Sequence, residues 1–441
     1  MRAIRGVTVS TLVIMGVSLT PATSSAQENA QALRQEMDQL RRDFEALRAQ
    51  YDERLTGLEQ RLATLEGAPP PKPPEAAAAQ PTVQVPPGAA GAGGPAGALP
   101  VYGAGIAGSK IFNPDIAVIG DFLGAAGTNT VAPPPAFEMH ESEASFQAVV
   151  DPYARADFFI SFGESGVNLE EGYMTFTSLP GGLLTRVGKM RAAFGKVNTL
   201  HNHVLPWTDR PLVTQNLVGG EDGISDAGFS VARLIPNPWL FLEVTGQVFR
   251  GDSGSETSPL YQSSTRSDLS YVAHLRAYQD ITEDSNVDVG FSYSTGHNGL
   301  PATPNAPETS TLTTSLYGID ATYRWRPLQR SIYRSFIGRS EVVWSRRDQP
   351  NGLQSGSGFY VSGDYQFARR WFAGARYDRS ARAYNASLID RGGSLTMTYW
   401  PSEFSQVRGQ FRRTNYGTGE IANELLFQFQ FSIGAHGAHP F

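Results

Sequence analysis

Over residues 111–441, apolar and polar side chains alternate with a period of two in window after window, and no other feature of the chain restricts its fold as much. Neighbouring side chains of a β-strand point to opposite faces, so each window predicts a strand with one apolar and one polar side. Over 269–277, Leu269, Tyr271, Ala273, Leu275 and Ala277 alternate with Ser270, Val272, His274 and Arg276. Over 286–294, Val287, Val289, Phe291 and Tyr293 alternate with Asp288, Gly290 and Ser292. Over 316–326, Tyr317, Ile319, Ala321, Tyr323 and Trp325 alternate with Asp320, Thr322, Arg324 and Arg326. The windows 359–367 and 424–433 repeat the pattern.

A soluble sandwich alternates too, and three further features decide against it. The windows run to about ten residues, the length of a tilted strand that crosses a bilayer. Tyr323 and Trp325, Trp344, Trp371 and Tyr377, and Tyr399 and Trp400 sit near the ends of apolar faces, as in an interfacial aromatic girdle. Short connections at 151–153, 180–182, 236–238, 282–284, 327–329, 368–369 and 401–402 alternate with long ones at 124–136, 196–225, 251–266, 296–311, 347–355 and 379–388. Short turns on one side and long loops on the other are the rhythm of a membrane barrel. The predicted fold is all-β transmembrane, an antiparallel barrel of about sixteen strands. Strands are expected to start near Asp115, Glu138, Arg155, Leu169, Leu183, Ala227, Trp239, Asp268, Asn286, Thr314, Ser331, Ser357, Arg370, Arg391, Phe404 and Asn423. Between Arg186 and Lys189 the polar face switches sides, which predicts a bulge or a shifted boundary.

Three segments of other composition precede the barrel at 111–441. Arg2 and Arg5, an apolar run over 7–19, Pro21 and Ser24-Ser25-Ala26 read as a signal peptide, 1–26, cut before Gln27. Its removal takes two arginines and no acids, so the formal charge goes from −6 to −8. Over 27–67, Leu33, Met37, Leu40, Phe44, Leu47, Tyr51, Leu55, Leu58, Leu62 and Leu65 form a heptad seam with one stutter, the mark of an α-helical coiled coil. Residues 68–110 are low-complexity Pro, Ala and Gly and read as a linker. The chain has no cysteine, which fits passage through an oxidising periplasm. Its mild acidity gives no support for a nucleic-acid partner.

On these residues the chain resembles the bacterial outer-membrane porins. It ends in Phe441, the usual last residue of that class, although 434–441 run past the last alternating strand. Residues 187–195, Val-Gly-Lys-Met-Arg-Ala-Ala-Phe-Gly, look like a strand segment of the phosphate-selective (polyphosphate) porin group. The resemblance covers 111–441 and says little about substrate. It implies a sixteen-stranded homotrimer in outer-membrane lipid, and the order of coil, linker and barrel is expected to set the N-terminal segment in the periplasm as a stalk. It also implies that the loop after about the fifth strand folds into the pore, a place taken here by 197–225.

A Lys or Arg facing lipid near the bilayer centre costs about 2–4 kcal/mol, so the charged side of each strand is assigned to the lumen. This yields Arg155, Arg276, Arg324, Arg326, Arg339, Arg376, Arg408 and Arg412, with Asp157, Glu243, Asp288, Asp320, Glu341, Asp364, Asp378 and Glu424. The signs nearly cancel, and the late cluster of Arg376, Arg408 and Arg412 tilts the balance slightly toward anions. The constriction loop adds His201, His203, Asp209, Arg210, Glu221 and Asp222. His-x-His beside acids is the right chemistry for a metal, as are His436 and His439. With no further ligand located, ordinary loop polarity is the expectation, and neither metal nor cofactor. Ser270, His274 and Asp268 share a strand face, but their spacing is long for a Ser–His hydrogen bond, so no enzyme is expected. A plugged receptor needs about twenty-two strands and a plug that 27–110 cannot build. The reading is a water-filled channel for passive diffusion of small polar or ionic solutes. The alternatives are a barrel-anchored coiled-coil tether with a cell-wall or periplasmic partner, and an outer-membrane hydrolase.

Overall fold

A computed structural model of the chain describes residues 115–434, apart from 164–165, 257, 304 and 306–310. The expected signal peptide, coiled coil and linker lie outside the described residues, as does the tail with His436, His439 and Phe441. The strands are β1 Asp115–Thr128, β2 Phe137–Asp151, β3 Ala154–Gly163, β4 Gly166–Leu179, β5 Leu183–Arg191, β6 Ser225–Leu234, β7 Phe241–Phe249, β8 Ser253–Ser255 and β9 Ser258–Tyr261. They continue as β10 Ser270–Thr282, β11 Ser285–Pro301, β12 Thr311–Trp325, β13 Ser335–Arg347, β14 Gln354–Ala368, β15 Trp371–Arg382, β16 Asn385–Ser402, β17 Ser405–Asn415 and β18 Ile421–Gly434. The short β8 and β9 pair only with each other; the other sixteen form one closed barrel, in which β10 follows β7 and β1 pairs with β18. Each barrel strand pairs with the barrel strand before and after it in sequence, or across the closure, so antiparallel hairpin connections of varied length build it.

The alternation explains the two faces. On β16, Leu395 is 61% exposed between buried Ser394 and Thr396. On β18, Leu425, Phe427 and Phe429 are exposed between buried Glu424, Leu426, Gln428 and Gln430. The outer surface is thus an apolar belt and the inner one polar, as a barrel in lipid requires. Trp371 and Tyr399 stack on the outside with ring centroids 4.5 Å apart, and Tyr293 and Tyr317 meet at 5.2 Å midway along their strands. Trp400 departs from the expected girdle: it is buried, because it takes the inward parity next to outward Tyr399.

Other expectations are corrected. The long loop at 379–388 is a two-residue connection, since β15 ends at Arg382 and β16 begins at Asn385. Polar residues there still pair as strand, Ser380 with Asp390, and Arg382 binds Asp390 at 3.0 Å. Arg326 lies in the exposed turn after β12, and its Nε donates to the Ser331 carbonyl at 3.3 Å. The bulge expected between Arg186 and Lys189 is absent, because β5 pairs without a register shift there on both sides. Gly188 absorbs the irregularity at φ +140°, where a Cβ would collide with the Gly172 carbonyl and the Tyr173 backbone. The bulges fall elsewhere, in β2 and β4.

The apolar core lies inside the barrel. Phe194, Trp207, Val213 and Leu217 from the connection between β5 and β6 pack with inward-facing Leu316, Val343 and Tyr360. That connection, 192–224, contains two single-turn 3-10 segments and a short helix, α1, Leu212–Leu217.

Candidate functional site

The 192–224 loop is the expected constriction loop, and the barrel wall holds it by hydrogen bonds along its length. The Ala193 amide donates to Gln247 on β7 at 2.7 Å. The Gly195 amide donates to Ser292 on β11 at 2.9 Å, and the Val197 amide to Glu341 on β13 at 3.3 Å. Arg408 on β17 donates to the Leu205 carbonyl at 2.9 Å. Trp207 meets Tyr360 edge-on at 5.3 Å and lies under the Arg376 guanidinium at 4.7 Å. The Leu212 amide donates to Asp378 on β15 at 3.1 Å, and Asn216 donates to Asp390 on β16 at 2.9 Å.

Asp209 forms the loop's charged tip. Its Oδ2 lies 2.9 Å from both Arg376 and Arg412. Burial pushes its carboxyl up, but the two arginines outweigh burial and hold it at about 2. In the ring order, β5 is the fifth strand and β15 the thirteenth of sixteen. The loop therefore starts on one wall and is bonded to the wall eight places round, half the circumference away.

The remaining loop residues divide. The hydrogen bonds of Arg210 stay within the loop: it donates to Asn202, the Val197 carbonyl and the Leu200 carbonyl at 3.0, 3.1 and 2.7 Å, knitting the loop to itself. Glu221 accepts from Asn202 at 2.8 Å and meets His140 at 2.8 Å. Asp222 is exposed, and it is its carbonyl that accepts from Arg191, at 3.1 Å. His201 is gripped by three carboxylates: Glu143 at 2.6 Å, Glu171 at 2.8 Å and Glu170 at 3.1 Å. Burial disfavours its charged ring, but these acids prevail and hold it well above the ordinary histidine range. His203 stands beside it, with ring centroids 5.7 Å apart.

Two bulges build this acidic nest. Asp121 pairs with Glu141 and Phe122 with Met139, so His140 is the extra residue of β2. Phe159 pairs with Glu171 and Ile160 with Leu169, so Glu170 is the extra residue of β4. A bulge re-aims side chains that regular pleating would separate, and here the adjacent Glu170 and Glu171 both reach His201. Asp121, Glu141, Glu143, Glu170 and Glu171 were not singled out from sequence. The parity of Glu141, Glu143, Ser145 and Gln147 was a usable signal, but strict alternation hides Glu170.

Apart from Arg326, the strand residues assigned to the lumen lie on the inner face, and most of their charges are paired. Arg155 binds Asp157 at 2.7 Å, Arg276 binds Asp288 at 2.8 Å, and Arg339 binds Asp364 at 2.5 Å. Arg324 is 3.9 Å from Asp288. Arg376 also binds Asp378 at 2.8 Å, and Arg412 binds Glu424 at 2.6 Å. Glu243 is the cross-strand partner of Arg276; Asp320 pairs with Glu341 across β12 and β13, and both are buried. Arg408 differs, since its side-chain hydrogen bonds go to neutral Thr398, Gln406 and Gln428 and to the Leu205 carbonyl. His274 contacts Ser292 at 2.9 Å rather than Ser270, and Asp268 is engaged by Ser264 and Thr265, so these three do not assemble as a triad.

No family model matches the chain. Its fold is similar to that of Pseudomonas putida OprB in a high-pH structure, at 10% identity and TM-score 0.51 over 73% of this chain and 94% of that one. An anion-selective porin from Comamonas acidovorans aligns over 73% of this chain and 99% of that one, at 9% identity and TM-score 0.49. In sequence, the chain is 30% identical over 336 residues to an Aquifex aeolicus (strain VF5) protein described as an uncharacterized protein, covering 69% of this chain and 70% of that protein. The chain belongs to the family of that Aquifex aeolicus protein, and its barrel has the fold of the outer-membrane porins.

Proposed function

We propose that the chain is an outer-membrane porin, a water-filled barrel for passive diffusion of small polar or ionic solutes, narrowed by the 192–224 loop. The observation that carries this reading is the contact of Asp209 with Arg376, half a turn of the barrel from the loop's origin. A polar inner face under an apolar outer belt suits water inside and lipid outside. A charged strap across the lumen sets the narrow place where solutes are selected. Most lumen charges neutralise one another, so selectivity is weak. Arg408, bonded to neutral acceptors beside Arg376 and Arg412, favours a slight lean to anions, in keeping with the resemblance to the phosphate-selective group. No catalysis or cofactor belongs to this reading. The homotrimer, the signal peptide at 1–26 and the periplasmic coiled coil at 27–67 joined by the 68–110 linker are parts of the same proposal.

The test is single-channel recording of the purified protein in a planar bilayer, with the reversal potential under a salt gradient. Stepwise openings in threes and a small anion-selective reversal potential are expected. Absence of conductance from a folded, heat-modifiable barrel overturns the reading.

A further inference from the structure

Glu141, Glu143, His201 and His203 each bring one ligand-type atom into a cluster in which all four atoms lie within 4.8 Å of one another. Two come from β2 and two from the inward loop. Imidazole nitrogen with carboxylate oxygen is the donor set of zinc and its first-row neighbours. We propose that these four residues bind one divalent transition-metal ion of the zinc class, which fastens the inward loop to the barrel wall.

Three observations support the site. Glu141 is only 5% exposed, and no N–H or hydroxyl donor serves its buried carboxylate oxygens, whose side-chain neighbour is another acid, Glu170; Nδ1 of His203 is likewise buried without a partner. Buried acceptors are normally satisfied, and orphans of this kind need an account. The charge is also unbalanced. Glu170 and Glu171 are served by Arg191, through its side chain at 3.1 Å and its amide at 2.7 Å, and by His201. The cations nearest Glu141 and Glu143 already serve other acids, His201 with Glu170 and Glu171, Arg191 with Glu170 and His140 with Glu221, and buried charge that is poorly matched is costly. Finally, the outer support of a metal-bound histidine is already built. Nε2 of His201 faces Glu171 at 2.8 Å, and ligating histidines regularly give their second ring N–H to a carboxylate. That leaves Nδ1 of His201, 2.6 Å from Glu143, and Nδ1 of His203, 3.8 Å from the same carboxylate oxygen, directed at one point.

Tetrahedral zinc holds its ligands at about 2.0–2.2 Å, so the four atoms draw together on binding. Metal binding needs an unprotonated ring nitrogen, so any proton shared between Nδ1 of His201 and Glu143 leaves to solvent as the ion takes its place. The inference stands apart from conduction, because a closed barrel can hold the ion equally well.

The experiment uses the full-length protein in detergent, stripped with a chelator and titrated with Co²⁺ by visible absorption and calorimetry, with Zn²⁺ as competitor. One Co²⁺ per chain is expected, with the intense bands of tetrahedral coordination that Zn²⁺ abolishes. Glu141→Gln and His203→Gln are each expected to weaken binding at least tenfold while the barrel remains heat-modifiable. His436→Gln/His439→Gln, in the tail, is expected to leave binding unchanged. No binding by the wild-type chain overturns the proposal. So does equal binding by the Glu141→Gln or His203→Gln variants, or loss of binding only in the tail variant.

Discussion

Oδ2 of Asp209 lies 2.9 Å from a guanidinium nitrogen of Arg376 and 2.9 Å from one of Arg412. One loop carboxylate is thus the clasp between two strands of the far wall. Removing one member of a buried pair costs about 3–5 kcal/mol, because the other charges stay behind unmatched. Asp209→Ala is expected to free the loop tip and raise single-channel conductance, while circular dichroism of the strands stays unchanged. An unaltered, quiet conductance would show that the tip is held by other contacts.

The same pair sets a pH window. The Asp209 carboxyl sits at about 2 in the folded chain, against about 3.9 when unfolded. A lowered value means that its stabilisation is fully present above about pH 4 and is lost as pH falls through about 2. Conductance attributable to the clasp is expected to be flat from pH 8 to pH 5. Wild type should come to resemble Asp209→Asn only near pH 2, and convergence at pH 6 would contradict the assignment.

Loop entry depends on Gly195. Its φ is +60°, and a Cβ there would collide with the Glu341 carboxylate, the group that accepts from the Val197 amide. A non-glycine residue in such a conformation costs about 1–3 kcal/mol. Gly195→Ala is expected to displace the start of the loop and raise conductance noise, read in the same bilayer recordings.

The outer belt gives a prediction independent of conduction. Leu395 is 61% exposed on the face assigned to lipid. Leu395→Arg is expected to destabilise the barrel by about 2–4 kcal/mol in urea unfolding from phospholipid vesicles. Ser394→Arg, one residue away on the buried inner face, is expected to respond differently, through crowding inside the lumen. No penalty at Leu395 would mean that this face does not meet lipid.

Strand number, strand order and the face of most charged strand residues were legible in the sequence, Arg326 and Glu170 being exceptions. Period-two alternation is local, and a one-residue slip would turn a whole apolar face into the lumen. Tyr317, Ile319 and Tyr323 therefore announced the outside of β12, and Asp320 and Arg324 its inside, with no knowledge of their neighbours. The position of the long loop after the fifth strand was equally plain. What the loop does was decided only by the closed barrel. Trp207 finds Tyr360, and Asp209 finds Arg376, across more than 150 residues of chain, and no spacing rule encodes such a meeting. The bulges at His140 and Glu170 break the very period that made the strands readable. They bring Glu141, Glu143, Glu170 and Glu171 around His201, a grouping fixed by register between strands rather than by order along any one of them.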